Sequence, residues 1–167
     1  MNDDLTKSDI ENIEKEIEHR KLVLRKQLIE AVQEARAQGD LSENFEYYAA
    51  KREKNANESR IRYLERIIRT ANIIEDEAAD NEIGLNTNVT VYIPEDKAEE
   101  HYRIVTTIRG NSMKGLISID SPLGKALLKH KVGDTVTVKV NDSYSYDVEI
   151  RAIDKNPDDS DDVIRKY

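Results

Sequence analysis

Cysteine is absent from this chain of 167 residues, and so is tryptophan. The missing cysteines exclude a disulfide framework and thiolate zinc sites, and agree with a reducing compartment such as the cytoplasm. Long apolar runs are missing too, so no segment is predicted to span a bilayer. The acidic opening, with Asp3, Asp4, Asp9 and Glu11, is unlike a secretion signal. There is no phosphate-binding glycine loop and no nucleophile motif with a paired base. The three histidines, His19, His101 and His130, lack metal-ligand spacing and read as polar surface residues. What remains is polar: 36% charged and 38% hydrophobic residues, with a mean hydropathy of -0.74. That composition allows one or two small domains and no single large core.

Glycine and proline are also missing between Ser8 and Gln38, where apolar residues recur at Ile10, Ile13, Ile17, Leu24, Leu28, Ala31 and Ala35. Steps of three, four and seven predict a helix with a heptad-like seam. Arg20 interrupts it, at a place where its stem can follow the seam with the charge outside. A second seam runs through Tyr47, Ala50, Lys54, Asn57, Ile61, Leu64, Ile67, Ile68, Ala71 and Ile74, polar at its start and aliphatic at its end. Two such helices joined by a few residues are expected to fold back as an antiparallel hairpin. A helix of about 32 residues is roughly 48 Å long, so residues 1–75 are read as a projecting coiled-coil arm.

Charge is uneven along the chain. Residues 76–167 carry 12 basic and 18 acidic side chains, a net of -6, which leaves -2 of the total -8 for residues 1–75. Residues 47–74 hold seven basic against three acidic side chains, a net of +4. This basic stretch, beginning with Lys51, Arg52 and Lys54, is able to contact phosphates. The alternative is a solvated face laced with i, i+4 pairs such as Glu58–Arg62 and Glu65–Arg69.

After Ile74 the periodicity changes. Residues 76–87 are acidic and aperiodic and read as a linker. Strand-like runs follow at 88–93, 102–108, 114–119, 134–140 and 144–150, which predicts an antiparallel sheet. Between the third and fourth, Ser121 as N-cap and Pro122 at the first helical position predict a short helix. The expected fold class is therefore α+β, with a β domain over 88–155. The last residues, 156–167, read as a disordered acidic tail.

The break between the two long helices is Gly39-Asp40-Leu41-Ser42-Glu43-Asn44. Gly39 suits a helix C-cap, Asp40 an N-cap for the second helix, and Glu43 the third position of a capping box. The same two carboxylates, three residues apart, are equally a pair of hard oxygen ligands. Gly39 through Lys51 resembles the tip signature of the Gre transcript cleavage factors (GreA/GreB type) of bacterial RNA polymerase. Leu5-Thr-Lys, Arg25 and Glu34-Ala-Arg36 keep the family's register along the first helix. Ser121-Pro-Leu-Gly-Lys-Ala-Leu-Leu128 with Lys131-Val-Gly-Asp134 is similar to a segment of its FKBP-like C-terminal domain. The likeness extends to about Asp154.

The resemblance implies that the coiled coil enters the polymerase's secondary channel. Asp40 and Glu43 would there help hold a second Mg2+ at the polymerase active centre, and the polymerase would cleave its own backtracked RNA near the 3′ end. The factor itself would not be an enzyme. Ser42, Asn44 and Tyr47 would support the tip, and Lys51, Arg52 and Lys54 would meet RNA phosphates. Asp120, Ser121, Pro122 and Leu123 would dock on the polymerase at the channel rim, the alternative being an ordinary helix cap. A monomer in the cytoplasm is expected. Prolyl isomerase activity is not, because it would need an aromatic-lined pocket and the chain has one Phe, lying in the arm, and no Trp. The sequence departs from the family pattern at Phe45, where a small residue is usual, at Tyr48, and at Lys26, where many relatives have Pro. These departures keep open a binding-only channel inhibitor.

Overall fold

The structure, a computed structural model, describes residues 3–39, 44–155, 157, 159 and 162–165. The chain divides into two compact units, one ending at Asn72 and the other starting at Ile73.

In the first unit a short strand β1 (Asp4–Leu5) leads into α1 (Lys7–His19). Thr6 caps α1 in a reciprocal box: its Oγ1 accepts from Asp9 N at 3.2 Å, and its own N donates to Asp9 Oδ2 at 3.1 Å. One π-helical turn, Arg20–Leu24, separates α1 from α2 (Arg25–Ala37), and α3 spans Phe45–Thr70. A second short strand, β2 (Asn72–Ile73), pairs with β1, and Asn72 N donates to Asp3 O at 2.9 Å.

The pairing is antiparallel: as numbers rise along one leg they fall along the other, from Ala35 with Asn44 through Arg20 with Asn57 to Glu16 with Arg60. The base of the hairpin is aliphatic, with Leu5, Ile13, Leu64, Ile61 and Ile67 buried. Each such side chain removed from water contributes about 1.5–3 kcal/mol.

Arg20 does not behave as its place in the seam suggests. Its guanidinium turns inward, donating to Asn57 Oδ1 and to Glu16 Oε1, both at 2.9 Å. Glu16 also accepts from Arg60, at 3.0 Å and 3.4 Å. Asn57 and Arg60 are buried, so this is a polar layer inside the hairpin. Asn57 Nδ2 also reaches the Arg20 carbonyl at 3.3 Å, and that carbonyl accepts from Arg25 N, five residues on. A side chain inserted into the helical ladder is a recognised cause of a π-bulge. Glu58 and Glu65, read as partners of Arg62 and Arg69 along α3, instead reach across to Arg25 and Lys21.

The second unit is a five-stranded sheet in the order β5-β4-β3-β7-β6, made of β3 (Thr87–Ile93), β4 (Ala98–Val105), β5 (Leu116–Ser118), β6 (Thr135–Lys139) and β7 (Ser145–Asp154). Three pairings are antiparallel as expected, but β5 lies parallel to β4 at the edge. The residues between them, expected as strand at 106–108, form two 3-10 turns that carry the chain back to start β5 in the same direction. The helix α4 (Pro122–Leu127) seats Leu127 against the inward residues Val89, Val91, Val136, Val138, Val148 and Ile150.

Ile83, in the stretch read as linker, is fully buried in this core. It exchanges backbone bonds with the chain after α4, its N with His130 O at 2.9 Å and its O with Lys129 N at 2.7 Å. The end of the chain also differs from a disordered tail at its described residues. Ile164 is buried, and Arg165 N donates to Ile108 O at 2.8 Å. No helix of the described residues is long and apolar enough to cross a membrane.

Candidate functional site

The tip of the hairpin is built from its two helix ends. Ala37 closes α2, and Gly39 follows at φ +122°, a conformation that L side chains rarely adopt. Asp40, Leu41, Ser42 and Glu43 lie outside the described residues. The chain resumes at Asn44, which is the N-cap of α3: its Oδ1 accepts from Tyr47 N at 3.0 Å. That helix thus begins five residues after Asp40, with a cap of its own. The sequence reading misplaced this boundary because Asp40 and Asn44 are both good caps, four residues apart.

Asn44 does more than cap. Its Nδ2 donates to Ala35 O at 2.6 Å, tying the first turn of α3 to the last turn of α2. Tyr47, one turn into α3, lies under the Arg36 guanidinium at 5.7 Å and edge-on to Tyr48 at 5.4 Å. A hydrogen bond from Arg36, with the charges of Lys51, Arg36 and Lys54, outweighs desolvation and holds the Tyr47 phenol below the usual tyrosine value. Lys51 and Arg52 are exposed and Lys54 half-buried, and no carboxylate among the described residues pairs with them. Phe45, at the first position of α3, is 84% exposed. Arg36 is the residue here to which the sequence reading gave no role. Its signal was its place one turn before the break.

The second predicted cluster sits at the start of α4. Ser121 Oγ accepts from Gly124 N at 3.0 Å and donates to Ser118 O at 2.6 Å. Pro122 occupies the first helical position and is exposed, while Leu123 is half-buried against the core. Asp120 is exposed, and its carboxylate accepts from Thr107 Oγ1 at 2.7 Å. Thr107 and Ser118 brace one another at 2.8 Å, a support the sequence gave no sign of. Pro122 and Leu123 border an open apolar cavity of about 380 Å³, lined also by Ile117, Val138, Val140 and Tyr146. The cap role of Ser121 is thus realised, and it leaves Pro122 and Asp120 facing solvent.

Among the described residues no group of three or more His, Asp or Glu side chains is placed to hold a metal ion. His130 instead pairs with Asp134 at 3.2 Å.

Comparison with known proteins follows the same two units. Residues 4–73 match the family model described as the N-terminal part of transcription elongation factor GreA/GreB, and residues 78–155 match its C-terminal part. The transcription elongation factor GreA of Bacillus subtilis (strain 168) is 43% identical over 135 residues, 81% of this chain and 86% of that protein. GreA of Streptococcus sanguinis (strain SK36) is 41% identical over 152 residues, covering 90% and 94%. Among solved structures, GreA factor homolog 1 (Gfh1) of Thermus thermophilus aligns with 92% of this chain and 99% of its own at 29% identity, with a TM-score of 0.42.

Proposed function

This chain belongs to the GreA/GreB family of transcription elongation factors, and from that premise we propose that it acts on RNA polymerase by lending Asp40 and Glu43 to the polymerase active centre through the secondary channel. The observation that carries the reading is the cap of α3. Asn44 caps the first turn of that helix through Tyr47 N, a cap that does not draw on the two carboxylates. Their chemistry fits Mg2+, which takes hard oxygen ligands and is commonly held by only one or two protein carboxylates. When bound there with the polymerase's own ligands, the ion supplies charge stabilisation and an activated water for hydrolysis of backtracked RNA.

The rest of the arm serves position. The bond from Asn44 to Ala35 holds the two helix ends together. Lys51, Arg52 and Lys54 lie within three turns of the tip, where they attract the phosphates of the extruded RNA 3′ end. In the second unit, Asp120, Ser121, Pro122 and Leu123 dock at the channel rim, the cavity behind Pro122 accepting an apolar side chain of the polymerase. The factor supplies ligands and no complete catalytic centre.

The test uses purified protein, Mg2+ and polymerase stalled in a backtracked state. Wild type is expected to shorten the RNA, and Asp40→Asn to reduce the rate by at least about tenfold, or roughly 1.4 kcal/mol in barrier. RNA incubated with the factor alone is expected to stay intact. Full activity of Asp40→Asn would overturn the ligand role. Binding without cleavage by wild type would mark it as a channel inhibitor.

A further inference from the structure

The residues beyond the family match, which ends at residue 155, include a second built site. Asp162 is 8% exposed, and its two carboxylate oxygens are taken by different arginines, Oδ1 by Arg103 and Oδ2 by Arg109. Both guanidiniums are buried. Arg109 also donates to Asp159 Oδ2 at 3.4 Å, and Asn86 Nδ2 reaches that same oxygen at 3.3 Å. Two residues past Asp162, Ile164 is buried, while the intervening Val163 is 65% exposed. Arg165 N then closes on Ile108 O at 2.8 Å. The segment is held by a two-arginine fork, an apolar seat one residue removed, and a backbone bond.

The segment lies at the edge of the domain: the main cluster of the sheet includes no residue beyond Ile153, and Ile164 is buried outside it. The two guanidiniums, brought together on one carboxylate, form a like-charge pair that demands an anion. Beside the segment lies an open space of about 480 Å³, walled by Arg103, Arg109 and Lys114 on one side and by Asp162, Val163 and Ile164 on the other. It shares Gly110, Asn111 and Leu116 with the cavity beside Pro122.

We propose that the Arg103–Arg109 cleft is a recognition site for an acidic peptide segment of a partner protein, of the pattern acidic-x-aliphatic, and that Asp162-Val163-Ile164 is its resident, exchangeable occupant. A bare phosphate satisfies the fork but neither the apolar seat nor the backbone bond, so the site is shaped for a peptide. The tethered segment acts at a high effective concentration and keeps the cleft closed to weak competitors. Its release opens basic surface at the margin of the Pro122 cavity.

The probe is a fluorescent peptide with the sequence of residues 157–167, titrated by anisotropy against full-length protein. Full-length Asp162→Asn, whose own occupant is weakened, is expected to bind it at least about tenfold more tightly than wild type does. Full-length Ile164→Ala, which leaves every charge in place, is expected to bind it more tightly as well. The same peptide carrying Asp162→Asn is expected to bind neither variant. Thermal melting of both variants verifies that they are folded, and Ile164→Ala decides the matter if Asp162→Asn is not. Equal peptide binding by wild type and the folded variants would overturn the proposal and make the segment a fixed brace. Binding that survives Asp162→Asn in the peptide, or displacement by inorganic phosphate as effective as by unlabelled peptide, would overturn it as well.

Discussion

Asn44 is the residue at which folding of the arm and placement of its tip are separable by substitution. Its Oδ1 accepts from Tyr47 N at 3.0 Å and its Nδ2 donates to Ala35 O at 2.6 Å. Asn44→Ser keeps the cap, because serine caps about as well as asparagine, but it is too short to reach Ala35. The lost bond is a neutral one of about 1 kcal/mol. The Ala35 carbonyl is not orphaned, since Gln38 N also donates to it at 3.3 Å, so the low end of that range applies. Asn44→Asp also keeps the cap, but sets a carboxylate against carbonyls at the C-terminal end of α2, adding about 0.3–1 kcal/mol of repulsion. Asn44→Ala loses the cap as well, a further loss of about 1 kcal/mol, for a total near 1.5 kcal/mol. The assay is amide hydrogen exchange at Tyr47, where each 1.4 kcal/mol is tenfold in rate. Exchange is expected to rise roughly threefold in Asn44→Ser and about fifteenfold in Asn44→Ala, with Asn44→Asp between them. Cleavage stimulation is expected to fall in the same order. Equal exchange in the serine and alanine variants would refute the capping role, and an aspartate variant indistinguishable from wild type would refute the tie to α2.

Burial pushes the Glu16 carboxyl up, but hydrogen bonds and charges from Arg60 and Arg20 together win and leave it below its ordinary 4.5. Its contribution is thus complete above the unfolded value and disappears as pH falls through the lowered folded value. Far-UV melting of Glu16→Gln is expected to show about 1–2 kcal/mol lost at neutral pH and a flatter acid limb, while Glu58→Gln, at the more exposed pair with Arg25, loses under about 1 kcal/mol. Equal losses would show that the polar layer is no stronger than a surface pair. Gly124→Ala should lower the melting point of the second unit, although helix propensity alone favours alanine by about 1 kcal/mol. A Cβ there falls 2.0 Å from Ser118 O, so α4 must shift, at about 1–3 kcal/mol. A raised melting point would mean that α4 sits loosely on that carbonyl.

Much of this arrangement is legible in the sequence where one period dominates. The seam positions Ile13, Ala35, Ile61, Leu64 and Ile67 are buried as their spacing predicts, and β3 and β6 alternate as their valines do. The losses are all non-local. The π turn follows from Asn57 reaching a carbonyl 37 residues away, which no window of one helix contains. The parallel edge strand depends on turns that cut a β-like run short at Val105. Ile83 looked like linker because a single aliphatic residue among acids has no period, yet it fills the core from a stretch without strand or helix. At the tip, the helix boundary was misread by four residues because two good caps compete. At the chain's end, acidic composition suggested solvation where Arg103 and Arg109 supply neutralisation from distant elements.

The polar layer of half-buried Glu16 and Arg20 with buried Asn57 and Arg60 gives the arm a graduated scale. An antiparallel pair of aliphatic seams has near-equivalent alignments one turn apart, and each sliding step moves the far end by about 5.4 Å. Asn57 matches only one alignment, since its amide must meet both the side chain and the carbonyl of Arg20. From Asn57 to Asn44 is thirteen residues, or about 20 Å of helix. Under the proposed ligand role, that distance delivers oxygens to within the roughly 2 Å of a Mg–O bond, and one step of slippage would miss by more than twice the bond length. Accuracy at the tip is therefore set half-way down α3, by a joint thirteen residues from Asn44.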